Sequence, residues 1–223
     1  MKSKILVSWS SGKDSAWMLH TLNQRDDVEV VGLLTSVNEA VDRVAMHAVR
    51  RELVEAQAQA AGLPLTVVPL PWPCTNALYE ARMMSAIQGA KAAGITHIAF
   101  GDLFLEDIRQ YRVDMLAGSG VAPLFPIWGT RADTPALAQT MLSVGIRAKV
   151  TCVDTRSLPA DYLGQTYDPL FVNSLPDGVD HCAENGEFHP FCYAGPMFSE
   201  EIQVKKGVKH IDEPFHFMDF GLH

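Results

Sequence analysis

Along the first half of the chain, hydrophobic positions alternate between two periods. "KILVSW" (4–9), "VEVVGLLTSV" (28–37), "LTVVPL" (65–70) and "THIAF" (96–100) are short apolar runs, and they predict buried strands. Between them apolar residues recur three and four apart. "DSAWMLHTLNQ" (14–24) and "NALYEARMMSAIQGAKAAG" (76–94) predict helices, as does "LEDIRQYRVDMLAG" (105–118). In "HAVRRELVEAQAQAAG" (47–62), Val49, Leu53, Ala56 and Ala60 share one helical face, and Gly62 stands just past its end. Strand and helix in strict turn predict parallel βαβ units with right-handed crossovers, and so an α/β fold with a twisted parallel sheet and helices on both faces.

The pattern loosens beyond Pro123. "TPALAQTMLSVG" reads as a helix and "IRAKVTCVD" as a strand. From Ser157 onward Pro, Asp, Gly and Asn are frequent and no long helix is visible. "GEFHPFCYAGP" and "EIQVKKGVKHI" read as strands with a turn, and His210 and His216 alternate with apolar residues as in a strand or tail. The expectation is an α/β domain over residues 1–130 and a smaller α+β lobe over 131–223.

Composition narrows this picture. A chain of 223 residues, 48% apolar and 20% charged, has the balance of an ordinary globular protein. A net charge of -8 without an evident Lys/Arg cluster argues against a nucleic-acid partner. No apolar run is long enough for a membrane span, and the opening "MKSKILVSWSSGKDS" lacks a signal-peptide core. Cys74, Cys152, Cys182 and Cys192 have no CxxC spacing, so they read as reduced thiols of a cytoplasmic protein. A zinc site from His181, Cys182, His189 and Cys192 is disfavoured, because adjacent His-Cys suits one ion poorly and the spacing fits no common finger.

The chemistry begins at "SWSSGKDSAW" (8–17), where a strand turns into a helix. A helix N-terminus offers unpartnered N–H groups and partial positive charge, which suit phosphate. Gly12 lets the backbone approach a ligand, Ser8, Ser10, Ser11 and Ser15 supply hydroxyls, and Lys13 adds a full charge. The loop is not G-x-x-x-x-G-K-[ST], because Val7 stands where the first glycine belongs. Ligands of open α/β sheets bind beyond the carboxyl ends of strands. Those ends are Ser8–Ser11, Thr35–Asn38, Pro69–Trp72 and Gly101–Asp102. Asp102 could hold Mg²⁺ against phosphates, with Asp14 as the second carboxylate, or could instead cap the next helix. Glu106 and Arg109, spaced i,i+3, suit a surface ion pair, as Asp107 suits a surface position; Arg109 or Arg112 could instead neutralise an α-phosphate. His47 lies near the end of the second strand. In "HCAENGEFHPF" (181–191), Glu184 and Glu187 flank the turn dipeptide Asn185-Gly186. They could be a plain hairpin turn, or carboxylates that bind and deprotonate ammonia.

Ser10-Ser11-Gly12-Lys13-Asp14-Ser15 resembles the S-G-G-K-D-S loop of the PP-loop ATP pyrophosphatases, with Ser11 in place of the first glycine. "MHAVRRELVEAQAQAAGLPL", "GDLFLEDIRQYR", "PLFPIWG", "YLGQ" and "ENGEFHPF…GPMF" follow in an order similar to the diphthine–ammonia ligase family, over nearly the whole chain. Glu184-Asn185-Gly186-Glu187 resembles that family's E-G-G-E stretch, with Asn185 as the departure. The Ser11 and Asn185 variants are similar to bacterial relatives. The resemblance implies a cytoplasmic ATP- and Mg²⁺-dependent ligase that adenylates a carboxylate, releases pyrophosphate and then admits ammonia. It implies ATP contacts along the loop at Ser10, Ser11, Gly12, Lys13, Asp14 and Ser15, and an acceptor or ammonia site at Glu184 and Glu187; position at the strand ends and nearby adds Ser8, Thr35, His47, Gly101 and Arg109 as candidate ATP contacts and Asp14 and Asp102 as candidate metal contacts, which leaves Lys13, Asp102, Glu184 and Glu187 as the catalytic candidates. The family's acceptor is diphthine, a modified histidine of elongation factor 2. Here the expected partners are ATP, ammonia and a carboxylate acceptor, with the open rim of the sheet available for a homodimer. Two other readings compete: a PP-loop sulfur transferase acting on tRNA, and an ATP-binding regulator without chemistry.

Overall fold

The computed structural model describes residues 2–44 and 48–223. Its first part runs β1 (Ser3–Ser8), α1 (Lys13–Asn23), β2 (Val28–Asn38), β3 (Arg43–Val44), α2 (Arg51–Ala61), β4 (Leu65–Leu70), α3 (Asn76–Ala92), β5 (His97–Ala99), α4 (Glu106–Leu116) and β6 (Ala122–Leu124). The strands form one sheet in the order β4-β2-β1-β5-β6, all parallel, with β3 added antiparallel at the end of β2. From β1 the chain winds outward through β2 and β4, then returns to the other side of β1 to lay down β5 and β6. The order therefore reverses between β1 and β5, and a crevice opens beyond their carboxyl ends.

Alternation along these strands covers both faces of the sheet. Ile5, Val7 and Leu33 pack with Met18, Leu19 and Leu22 of α1 and with Leu53, Val54 and Ala58 of α2. Leu6, Leu34, Ile98 and Phe100 face the other way, against Met83 and Ile87 of α3 and Leu116 of α4. Helix α2 starts four residues later than periodicity suggests, because Arg50 is extended and bridges Arg43 as a strand residue. It ends as predicted, with Gly62 left-handed at φ 66°.

The second part contains α5 (Thr134–Ser143), β7 (Arg147–Asp154), β8 (Thr166–Tyr167), α6 (Pro169–Ser174), β9 (Phe188–Ala194), β10 (Val204–Asp212) and β11 (Phe215–Leu222). Its sheet is antiparallel, in the order β10-β11-β7-β8 with β9 also on β7. This sheet lies over the α1/α2 side of the first one, with β9 against α1 and β11 against α2. Val150, Phe188 and Phe191 join the same buried cluster as α1 and α2. Among the described residues no helix is long and apolar enough to cross a membrane.

A buried carboxylate clamps the two sheets together. Asp219 of β11, its side chain only 4% exposed, accepts bonds from Arg43 Nη1 at 2.8 Å and Arg50 Nε at 3.0 Å, with Arg50 Nη2 as a third donor. Burial alone would raise its carboxyl, but the two guanidinium groups outweigh burial and hold it at about 2. Replacing Asp219 with alanine is expected to cost about 2–3 kcal/mol in urea unfolding, since both arginines keep partial access to water. A carboxyl depressed in the folded state adds stability above its unfolded value of about 4 and loses it as pH falls towards 2. The alanine variant should therefore lack that segment of the acid-unfolding curve.

Candidate functional site

The loop after β1 and the start of α1 form the floor of the crevice. Gly12 occupies the N-cap of α1 without any side-chain capping bond, which leaves the first N–H groups of the helix open to a ligand. Ser10 and Ser15 sit side by side, Oγ to Oγ 3.3 Å, and Ser15 Oγ donates to the Gly12 carbonyl at 2.9 Å. Across the crevice, Gly101 lies so close to α1 that an added Cβ would stand 3.4 Å from the backbone of Asp14 and Ser15. The walls come from Ser8, Ser10, Gly12, Asp14, Ser15, Gly101, Asp102 and Arg112, and the roof from Cys182 to Pro190. The cavity measures about 240 Å³. It adjoins a second chamber of about 340 Å³ lined by Trp9, Leu34, Thr35, Ser36, Val44, Tyr79 and Met83, and the two share Ser8, Ser10, Phe100 and Arg112.

Ser11 does not face the ligand space. It is fully buried at φ 71°, the left-handed conformation that the glycine of the similar loop would adopt without strain. Its carbonyl accepts from Cys192 N–H at 2.9 Å and from Gln57 Nε2 at 2.9 Å, while its hydroxyl is buried with no hydrogen-bond partner among the described residues. Ser11→Gly should raise stability by about 1 kcal/mol in urea melts, because it removes both the strained backbone and an unsatisfied hydroxyl.

Lys13 is also fully buried. Its ammonium donates to both carboxylate oxygens of Asp14, at 2.9 and 2.8 Å, and to the Cys182 carbonyl on the roof. Burial opposes its charge, but Asp14 and the surrounding acids outweigh burial and push its pKa above the ordinary lysine value. Lys13 thus ties floor to roof and neutralises Asp14, which itself faces the crevice.

The roof is a loop stapled from inside. Asp180 accepts from Cys182 N–H at 3.3 Å and Glu184 N–H at 2.8 Å. Glu187 Oε1 accepts from Asp180 N–H at 3.0 Å and Asn185 Nδ2 at 2.9 Å. The two glutamates therefore part company. Glu187 is 5% exposed and turned into the protein, where it holds the loop. Glu184 reaches the crevice and accepts from Leu103 N–H at 2.7 Å. Burial, reinforced by the charge of Asp14, pushes the Glu184 carboxyl up to about 7.

Asp102 lies in the crevice and does not cap α4, whose N-cap position is Leu105. Burial raises its carboxyl, against the pull of Arg112, whose Nε stands 3.5 Å away. Asp102 Oδ2 and Arg112 Nε are both buried without a hydrogen-bond partner among the described residues. Arg109 is turned elsewhere: it pairs with Glu106 at 3.8 Å and lies over the Trp128 ring at 4.7 Å. Arg112 is the arginine at the crevice. Thr35 lines the second chamber, with its hydroxyl buried and without a hydrogen-bond partner among the described residues. His47 falls outside the described residues.

One organiser escaped the sequence reading. Gln57 of α2 is fully buried; it accepts from Trp9 Nε1 at 2.8 Å and donates to the carbonyls of Ser11 and Cys192. It fixes the loop after β1 against β9. The signal was present: a glutamine four residues after Leu53, on the apolar face of the helix.

Comparison with known proteins agrees over both halves of the chain. Residues 1–117 match the diphthamide synthase N-terminal domain, and residues 133–221 match the diphthamide synthase C-terminal domain. A Danio rerio protein named diphthine–ammonia ligase is 25% identical over 232 residues, covering 92% of this chain and 89% of that protein.

Proposed function

The chain belongs to the diphthamide synthase family, and from that premise we propose that it is an ATP-dependent ligase which adenylates a carboxylate and then transfers ammonia to it. One observation carries the reading: an uncapped helix N-terminus, two crevice-facing aspartates and a glutamate with a raised pKa converge on one cavity, with a partly apolar chamber beside it. The β- and γ-phosphates fit the N–H groups of α1 and the Ser10 and Ser15 hydroxyls. The adenosine fits the chamber of Trp9, Tyr79 and Met83. Arg112, which lines both spaces, would face the α-phosphate between them. Asp14 and Asp102 would hold Mg²⁺, a cation that commonly binds through one or two carboxylates plus substrate phosphates, and Asp102 Oδ2, which has an ion pair to Arg112 at 3.5 Å but no hydrogen-bond partner among the described residues, fits such a ligand. When bound, the ion would neutralise charge on the phosphates.

In the first step the acceptor's carboxylate oxygen bonds to the α-phosphorus, and the bond to the bridging oxygen breaks to release pyrophosphate. Arg112 and the N–H groups of α1 stabilise the charge that develops. In the second step ammonia nitrogen bonds to the acyl carbon, AMP leaves with the electron pair, and Glu184 takes a proton from nitrogen. Glu184 suits that task, since a carboxyl near 7 exchanges protons at neutral pH. Glu187 supports it by holding the loop.

Sulfur transfer fits less well. Cys152 and Cys192 are buried with thiols pushed up to about 12, and Cys182 is raised further, which leaves little thiolate. An ATP-binding regulator has one observation in its favour: Lys13 is already committed to Asp14 and Cys182.

The test is product analysis with labelled ATP, Mg²⁺, ammonium and a cell extract as source of acceptor, beside a Lys13→Ala control. AMP and pyrophosphate that depend on ammonium and vanish in the control are the expected result. ADP and phosphate would overturn the reading, and bound, uncleaved ATP would favour the regulator.

A further inference from the structure

A third cavity, of about 470 Å³, lies on the same rim of the parallel sheet and takes no part in the site described above. It opens beyond the carboxyl ends of β2 and β4, at Asn38 and Leu70, where open sheets bind ligands. Val44 forms part of its wall and also part of the nucleotide chamber, so the two spaces are neighbours. Among the described residues the lining is nearly all apolar, chiefly Val41, Leu70, Pro71, Trp72 and Phe217. Trp72 is 74% exposed and Val41 57%, so two large apolar side chains of this pocket are left in water. Apolar surface gathered in a concave site is the usual mark of a ligand pocket.

The polar groups select the ligand's charge. Arg43 makes both of its hydrogen bonds, to Asp219 and to the Ala48 carbonyl, through Nη1. Among the described residues Nε and Nη2 make no other bond, and they are a fork suited to a carboxylate. Asp219 opposes Arg43 directly but is shared with Arg50, so that trio keeps one net positive charge, and the other acid of the lining, Asp212, is at an exposed position of β10, where water and salt screen it. The Arg43 side chain is only 26% exposed, so its charge is felt more strongly inside the pocket.

We propose that this cavity binds a small carboxylic acid with a bulky apolar or aromatic body, its ring or chain against Trp72 and Phe217 and its carboxylate towards Arg43. That such an acid is the acceptor in the reaction rests on the ligase reading; the binding itself does not.

The test uses 4-phenylbutyrate as probe, with 4-phenylbutan-1-ol and 4-phenylbutylamine as neutral and cationic counterparts of the same body. Binding is read from tryptophan fluorescence, and a Trp72→Phe variant identifies the reporter. The expected result is saturable quenching through Trp72, with the carboxylate bound at least tenfold more tightly than the alcohol or the amine. Val41→Glu, a change at an exposed position, should weaken the carboxylate at least tenfold; ATP affinity, measured separately, reports whether that variant is folded. Absence of saturable quenching, an amine bound as tightly as the carboxylate, or an unaffected Val41→Glu variant would overturn the proposal. AMP formation is followed in parallel. Specific binding without AMP would keep the pocket and count against the ligase reading, while AMP formation without binding here would do the reverse.

Discussion

Lys13→Ala is expected to lower the unfolding free energy by about 2–3 kcal/mol and to reduce ATP cleavage by about 10²- to 10³-fold. The stability loss follows from what the ammonium holds. It has no exposure to water, binds both oxygens of Asp14 and reaches the Cys182 carbonyl of the roof. Removing it strands a carboxylate and a carbonyl. Breaking a fully buried pair costs about 3–5 kcal/mol, but the Asp14 side chain retains 24% exposure and can partly hydrate, so the lower figure applies. Asp14→Asn in the same molecule should recover about 1 kcal/mol, because the uncompensated charge disappears; a double-mutant cycle in urea measures the coupling. A lysine raised in the folded state adds stability that is complete at neutral pH and is lost only as pH climbs through its folded pKa. The ammonium itself therefore adds no slope to the gap between wild type and Lys13→Ala from pH 6 to 9, and any slope there reports the Asp14 carboxyl, which burial raises and Lys13 holds down. The activity loss has a separate origin, since without Lys13 the roof no longer closes on the floor. Double variants that regain stability should stay inactive.

How far the sequence revealed this arrangement depends on the range of the interaction. The βαβ half was legible because each strand and helix shows its period within one short segment, from "KILVSW" to "LEDIRQYRVDMLAG". Strand β6 was not, since it is three residues long with Pro123 at its centre. The strands of the second sheet were visible but their partners were not. β7 pairs with β9 and β11, both distant in the chain, and no local pattern encodes such pairing. Within the site, the loop residues around Gly12 could be read because helix N-terminus, glycine and serines are contiguous. Which of Arg109 and Arg112 enters the crevice could not, because the choice depends on Trp128 and Phe125, which draw Arg109 aside. Nor could the sequence separate Glu184 from Glu187. They flank one turn, and the inward bonds from Asp180 and Asn185 decide which one turns away.

Glu184→Gln should abolish most ammonia transfer while making the protein more stable at neutral pH. Glutamine keeps the volume and the acceptor for Leu103 N–H but cannot take a proton from nitrogen, so amide formation should fall by about 10²- to 10³-fold. In the proposed reaction the carboxylate of the wild type is the working form. At fixed free ammonia the rate should rise with pH to a plateau above about 7, and the variant should lack that inflection. The stability change has the opposite sign from the Asp219 case. A carboxyl raised from about 4.3 when unfolded to about 7 when folded binds its proton more tightly in the native state between those values. Stability therefore falls as pH rises through that window, by about 2–3 kcal/mol after allowance for partial exposure. Glutamine carries no charge to desolvate, so the variant should show a flatter profile and a higher urea midpoint at pH 8. Gained stability together with lost turnover would mark a carboxylate kept for chemistry at the expense of the fold. A variant that is less stable at pH 8, with the wild-type pH profile of turnover intact, would mean instead that Glu184 serves only to anchor the roof to Leu103.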